Sequence, residues 1–591
     1  MTTLVPRLLP ARVPRLVWFV IGGGVAIAAA LAAPSTALLP APATHTTKLL
    51  AAVALFAVFA MGLLRPLPAL YGLVSLAVLE GAIRKWLVND IDVFLLKDFL
   101  ALGIYAAVLP RLDRREWRRP WWLLVPLAAI VALALAESAR SPSLSEAVVG
   151  LRSYTIYVPL LWAAPALLRE TREAIRLLSV VLALAAAESV FSVVQALSQS
   201  ATLNKLVSGA LPALITINGV EYLRPSGTFM QAGTLAVFLF VGVLIAFSFV
   251  AARRSGVLYA VGLAAPVVLT WGLVYGAARS LFSASVAAVI VLMGVLAGQR
   301  RLFTLALVPV SFVVGFVLLF TLIPKIDDGL HAVGIWWREQ GKATMRVLDT
   351  RTKRYFTVYA DKQALANARR LAANPRRTSP VVVRAFDGSG RTVVMTLAPG
   401  GRASGARLGA QPVTGIDETG SVQSVVVQQP RSVSQVGGFL SRSADLNKAG
   451  GSVGLWGSRI KPQLELIKAQ RFGHGTGTMT LGSEYAGGSS AFQGESEYSK
   501  LAWELGLPGL ALYVWFVIAF AACALAGVAR ARADERLVAT VGFGIVALAP
   551  AWAVLTFAPD YPIFAIFIYL LGGYAVARGF VAPLVVRATD R

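Results

Sequence analysis

Apolar runs of roughly 17 to 25 residues, each long enough as a helix to cross about 30 Å of hydrocarbon, recur along the chain between short polar stretches. They predict spans near residues 15–39, 48–64, 67–83, 93–109, 121–135, 152–168, 174–195, 229–252, 256–276, 281–297, 302–323, 505–528, 537–557 and 562–580. The expected fold class is therefore an all-α polytopic membrane protein with about fourteen transmembrane helices. The first run precedes Ala41-Pro42-Ala43, which is similar to a signal-peptidase site, yet it is longer than a typical signal-peptide core and is read as a span.

One segment breaks the rhythm. Residues 324–504 form a hydrophilic stretch far longer than an ordinary connection, dividing the chain into an N-terminal bundle at 1–323, of about eleven helices, this long loop, and a C-terminal group at 505–591, of about three. Within the loop, β-branched alternation between Gly-rich turns, preceded by a short helix in "YFTVYADKQALANARRLAANPRR", predicts a small α/β insert over 344–435. Residues 451–473 read as a helix with Trp456, Ile460, Leu464 and Ile467 on one stripe, followed by a Gly-rich motif at 473–478.

Composition agrees with a membrane protein: 57% of residues are hydrophobic, 14% are charged and the mean hydropathy is +0.69. The net charge of +25 does not point to nucleic acid, because most of the cations fall in short loops on one face if the spans alternate. The positive-inside rule makes that face cytoplasmic, puts both termini there and leaves the long loop extracytoplasmic. Cys523, the only cysteine, lies inside a span, which excludes disulfides and cysteine-based metal sites.

The cations that break this sidedness carry the chemistry. Arg152, Arg224 and Arg279 each sit where a span meets the extracytoplasmic face, and Arg84, Lys85 and Arg140 share that face. A planar, permanently charged guanidinium suits phosphate, so an anionic group at the membrane surface is one reading and snorkelling anchors are the other. A diphosphate at the head of a membrane lipid is the natural anion.

Acids gather just before the span at 505–528, in "GESEYSKLAWELGLPGL". Helical spacing puts Glu497, Lys500 and Glu504 on one face, as a solvated salt-bridge ladder. Glu495 points the other way, beside Tyr498, and is either a helix-end carboxylate or a general base facing the arginines. In "RFGHGTGTM" the phosphate-loop consensus is absent, so the glycines read as a structural turn, with His474 as an accessory base or donor. Asp327 and Asp328 have no third ligand in view, so no metal and no cofactor are expected.

"RPSGTFMQAGTLAVFLF", Arg279, the long loop with Trp456, "FGHGTGT" and "ESEYSKLAWELGLPGL" follow one another in an order that resembles the O-antigen ligase and O-antigen polymerase family, over about residues 152–516. The resemblance implies a GT-C-like membrane glycosyltransferase that needs no metal. It would use undecaprenyl-diphosphate-linked glycan as donor and hold the diphosphate on extracytoplasmic arginines. Carried over, it makes Glu495 the catalytic base, with Arg224, Arg279, Arg152 and Arg442 on the diphosphate and His474, Tyr498 and Glu497 as accessory groups. Two departures stand out. Glu495 occupies the place of the ligases' histidine, and Gly451 and Ser452 stand where an arginine commonly precedes the loop tryptophan, so that Arg442 is the substitute.

The missing histidine favours a polymerase of surface polysaccharide or exopolysaccharide repeat units over a ligase acting on lipid A core or protein. The resemblance also implies, as partners, membrane lipid and a flippase and chain-length regulator of the same pathway, in a bacterial inner membrane. A transporter or flippase subunit is the rival class, and would need polar or broken spans at mid-membrane. A non-enzymatic assembly subunit would tolerate Glu495→Ala and Arg224→Ala.

Overall fold

The structure is a computed structural model that describes residues 45–87, 92–112, 120–198, 203, 214–217, 220–252, 255–276, 289–290, 292, 307–315, 317–318, seven strands between 342 and 426, 472–479, 496–553 and 561–580. The first helices are α1 (His45–Leu64), α2 (Pro66–Ala82), α3 (Asp92–Val108), α4 (Trp121–Ser138), α5 (Leu144–Thr155), α6 (Leu160–Leu167) and α7 (Thr171–Ser198). A hairpin of β1 (Leu214–Ile217) and β2 (Val220–Leu223) leads to α8 (Ala232–Ala252) and α9 (Val257–Tyr275). The C-terminal part contributes α10 (Glu497–Arg530), α11 (Ala533–Ala553) and α12 (Pro562–Phe580).

Among the described residues, seven helices are long and apolar enough to cross a membrane, or eight if the bent pair α5 and α6 is one span. The protein is thus helical and of membrane type. Of the spans expected from the sequence, that at 15–39 lies outside the described residues and those at 281–297 and 302–323 lie largely outside them.

Why α8 is central follows from its sequence, AGTLAVFLFVGVLIAFSFVAA, which is apolar all round. Nearly all of it is buried, and α7, α9, α11 and α12 pack on it. Large apolar side chains on the outer helices, such as Leu50, Val53, Val125, Leu135 and Ile518, are exposed, as helices facing lipid tails require.

One expected span needs correction. The span at 152–168 is broken: α5 and α6 meet at 43°, because Pro159 cannot continue the first helix. Arg152 therefore belongs to a separate helix capped by Ser143, whose hydroxyl accepts from the Glu146 amide at 3.2 Å. Likewise α10 is two helices joined at Gly506, where φ is +71°, with Pro508 just beyond.

The insert is a seven-stranded antiparallel sheet with order β8-β7-β6-β5-β4-β3-β9 (β3 Lys342–Asp349, β4 Arg354–Asp361, β5 Val381–Asp387, β6 Thr392–Leu397, β7 Ala403–Leu408, β8 Gln411–Val413, β9 Val425–Val426). The segment expected to open as a helix instead begins as β4, whose Tyr355, Val358 and Tyr359 favour a strand; residues 362–380 lie outside the description.

Candidate functional site

Arg224-Pro225-Ser226-Gly227-Thr228 links the β-hairpin to α8 and is held from three sides. In the turn after α2, Lys85 donates to the Ser226 hydroxyl at 2.6 Å and to the Gly227 carbonyl at 3.1 Å. From α7, Gln195 Oε1 accepts from the Gly227 amide at 2.8 Å, and Glu188 accepts from the Thr228 amide at 2.9 Å and hydroxyl at 2.5 Å. These are buried groups with near-ideal partners, so the loop is fixed rather than loosely draped. Arg224 is half-buried, and its Nε donates to the Gly276 carbonyl at the end of α9, 2.6 Å away.

A second constellation forms where residues 472–479 lie against α5 and the start of α10. Ser141 donates to the Thr476 carbonyl at 2.7 Å, and the His474 amide donates to the Trp503 carbonyl at 2.9 Å. The His474 ring stacks on Trp503 with centroids 4.2 Å apart. Gly477, at φ +83°, has the Glu146 carbonyl so near that a Cβ would stand 1.9 Å from it. That close approach, together with the left-handed backbone, is why glycine occurs here.

Glu497, Lys500 and Glu504 do share one face, but not as a solvated ladder: their exposures are 2%, 1% and 0%. Glu497 pairs with Lys500 at 3.5 Å, and Lys500 lies 4.8 Å from the centroid of the Tyr154 ring. Glu504 accepts from the Tyr154 hydroxyl at 2.7 Å and the Met479 amide at 2.8 Å. A local helical wheel could not reveal this, since the burying groups come from α5 and from residues 472–479. The pair Glu497–Lys500 opens on a cavity of about 50 Å³ that Ser153, Tyr513, Phe516 and Tyr569 also line.

Both constellations lie at the same end of the bundle. The Tyr561 hydroxyl, just before α12, lies against Gly233 at the start of α8, while Ala565, Ile568 and Tyr569 of α12 line the cavity beside Glu497. A third link is ionic and buried. Lys97 pairs with Glu80 on α2, and next to it Asp98 takes the Arg152 guanidinium through both oxygens and the Tyr157 hydroxyl at 2.7 Å.

Arg152, Arg224, His474, Tyr498 and Glu497 are thus gathered at one end, with Arg84, Lys85 and Arg140. Arg152 is engaged by Asp98, a partner that sequence reading did not supply, and Tyr498 is half-buried with its hydroxyl donating to the Pro550 carbonyl at 3.0 Å. Glu495, Arg279, Arg442, Trp456, Asp327 and Asp328 lie outside the described residues. Among the described residues no group of three or more His, Cys, Asp or Glu is arranged to hold a metal ion. Sequence reading also missed Glu80, Lys97, Asp98 and Glu188. The signal was present, because ionisable residues inside apolar runs mark functional or strongly constrained positions.

No family model, no curated protein and no solved structure is significantly similar to the chain. The resemblance to O-antigen ligases and polymerases rests on the quoted motifs alone.

Proposed function

We propose that the protein is a GT-C-like membrane glycosyltransferase that polymerises polyprenyl-diphosphate-linked oligosaccharide repeat units at the extracytoplasmic face of a bacterial inner membrane. The observation that carries this reading is the meeting, at one end of the bundle, of the clamped loop at 224–228 with the buried acid–base group around Glu497, Lys500 and Glu504. These are the two best motifs of the resemblance, separated by about half the chain and found at the same end of the bundle.

On this reading the donor's lipid lies among the helices and its diphosphate rests on Arg224 and Arg279, with Arg152 or Arg442 assisting. Glu495, one residue before the cap Ser496 of α10, removes the proton from the acceptor hydroxyl as that oxygen attacks the anomeric carbon. The carbon–oxygen bond to the diphosphate breaks, and the arginines stabilise the charge that develops on the leaving group. The bond energy of the diphosphate drives transfer, with no nucleotide sugar outside the cytoplasm. Undecaprenyl diphosphate is the carrier that the resemblance implies, and a flippase and a chain-length regulator are the partners that such a pathway requires.

The test is the glycan profile of cells carrying Glu495→Gln or Arg224→Ala, with protein level monitored. Single repeat units stalled on the lipid carrier are the expected result. Full-length polymer stalled on the carrier would identify a ligase instead, and an unchanged profile in both variants would exclude the enzyme reading.

A further inference from the structure

The insert carries a second surface, which the catalytic reading does not use. Successive residues of a strand alternate between faces, so the strand register sorts the sheet. One face holds Met345, Val347, Phe356, Val358, Val383 and Met395, and its charges stand at strand ends, where Asp349 pairs with Arg354 and Asp387 stands opposite Val358. The opposite face holds Lys342, Arg346, Arg384 and Arg407, together with Tyr355, Tyr359, Phe386, several threonines and the aliphatic Leu348, Val382 and Val394. Its one acid, Asp361, stands opposite Lys342.

The cations and aromatics on that face are ordered. Arg384 in β5 pairs with Val394 in β6, which pairs with Arg407 in β7; two strand spacings put the arginines about 10 Å apart. The adjacent row runs Thr344, Tyr359, Phe386, Thr392 across β3 to β6, about 7 Å along the strands from the first. The apolar face needs covering by protein, whereas the cationic one does not. Between residues 342 and 426 there are fourteen Lys or Arg against five Asp or Glu, so the surrounding field has the same sign as the face.

We infer that the cationic and aromatic face of the β3–β7 sheet binds an anionic glycan, the acidic chain of sugar rings that the enzyme would elongate. Arginine is the residue type that suits carboxylate or phosphate groups on sugars, threonine can match sugar hydroxyls, and rows that combine them with aromatic residues suit the C–H faces of sugar rings. The choice of glycan over nucleic acid rests on the proposed function, which puts the insert outside the cytoplasm beside a glycan substrate.

The purified full-length chain in phosphatidylcholine nanodiscs is titrated with alginate, a polyuronate, and with neutral dextran. Alginate binding that weakens as salt rises toward 1 M, where the screening length is about 3 Å, is expected, with none for dextran. Arg384→Gln/Arg407→Gln should weaken it about tenfold or more, the scale of one or two charge-assisted contacts. Arg391→Gln/Arg402→Gln removes the same charge from the connections before β6 and β7 and should leave binding within about twofold of the native chain.

Equal losses in the two double variants would reduce the effect to net charge and overturn the inference. So would equal binding of dextran, or preferential displacement of alginate by oligodeoxythymidine or phosphatidylglycerol vesicles. Matching thermal unfolding of the variants separates lost binding from lost folding. The function proposal has its own readout. An unaltered glycan profile in Glu495→Gln and Arg224→Ala beside intact alginate binding removes the enzyme and keeps the surface; stalled repeat units without alginate binding do the reverse.

Discussion

Lys85 reaches across 141 positions of chain to donate to the Ser226 hydroxyl at 2.6 Å, both groups buried. A lysine is expensive to bury, and here the same ammonium also bonds the Gly227 carbonyl, so it fastens the turn after α2 to the loop that carries Arg224. Lys85→Met keeps the volume and removes the donor. The expected cost is about 2–4 kcal/mol, the range for orphaning buried polar partners, read as a lower midpoint of thermal unfolding in detergent. Glu188→Gln retains an acceptor for the Thr228 amide and should cost about half as much. A Lys85→Met chain as stable as the native one would mean that the loop is held without it.

Gly477 and Gly256 separate two reasons for a glycine. Both have positive φ, +83° and +91°, but a Cβ at 477 would stand 1.9 Å from the Glu146 carbonyl, while one at 256 meets nothing within 4 Å. Gly256→Ala should therefore cost only the backbone strain of φ +91° and ψ −179°, about 1–3 kcal/mol. Gly477→Ala must also displace residues 472–479 from α5, and is expected to cost about 3 kcal/mol or more and to lower the yield of folded protein. Equal effects in a side-by-side unfolding measurement would contradict the close packing of this turn on α5.

Much of this arrangement was legible in the sequence, and what was not has a common cause. The uniformly apolar stretch at 229–252 announced a membrane-spanning helix, though not its central place, and alternation in "SPVVVRAFDGSGRTVVMTL" announced strands. The turn reading of "FGHGTGT" agrees with the left-handed Gly475 and Gly477. Periodicity is local, however, and it failed where partners are remote. Lys500 looked solvated because its helix face carries two acids, whereas Tyr154, 346 positions earlier, lies over it. Arg152 looked available to an anion because Asp98 lies 54 positions away. The break between α5 and α6 was the avoidable miss, since Pro159 stood inside the expected span.

Tyr154 and Glu504 form a single buried contact that can be cut without changing shape. Tyr154→Phe removes one donor from the Glu504 carboxylate, which keeps the Met479 amide among its partners, and should cost about 1–3 kcal/mol, the price of removing one donor from a buried acceptor. Pairing it with Glu504→Gln removes the charge that made the loss severe. The double variant is therefore expected to be less destabilised than the two single effects added together. A strictly additive result in a double-mutant cycle would show that the two residues are not coupled.

The ion pair Arg152–Asp98 offers the sharpest division between a structural and a substrate-binding arginine. Removing one partner, as in Arg152→Met or Asp98→Leu, strands a buried charge and is expected to cost about 3–5 kcal/mol. Removing both together leaves no stranded charge, and apolar replacements of buried ion pairs are often neutral, but the Tyr157 hydroxyl loses its acceptor at about 1–3 kcal/mol, so Arg152→Met/Asp98→Leu should recover part of the lost stability. The recovered protein is what separates the roles. If Arg152 assists at the diphosphate, a stably folded double variant still fails to lengthen glycan in cells, with short lipid-linked units left behind. If it serves only Asp98, polymer returns with stability. The proposed mechanism predicts the first outcome, in partial form, because Arg224 and Arg279 are the principal diphosphate ligands: shorter polymer at normal protein level. Native polymer length in the double variant would remove Arg152 from the site and leave it as the anchor of α5 on α3.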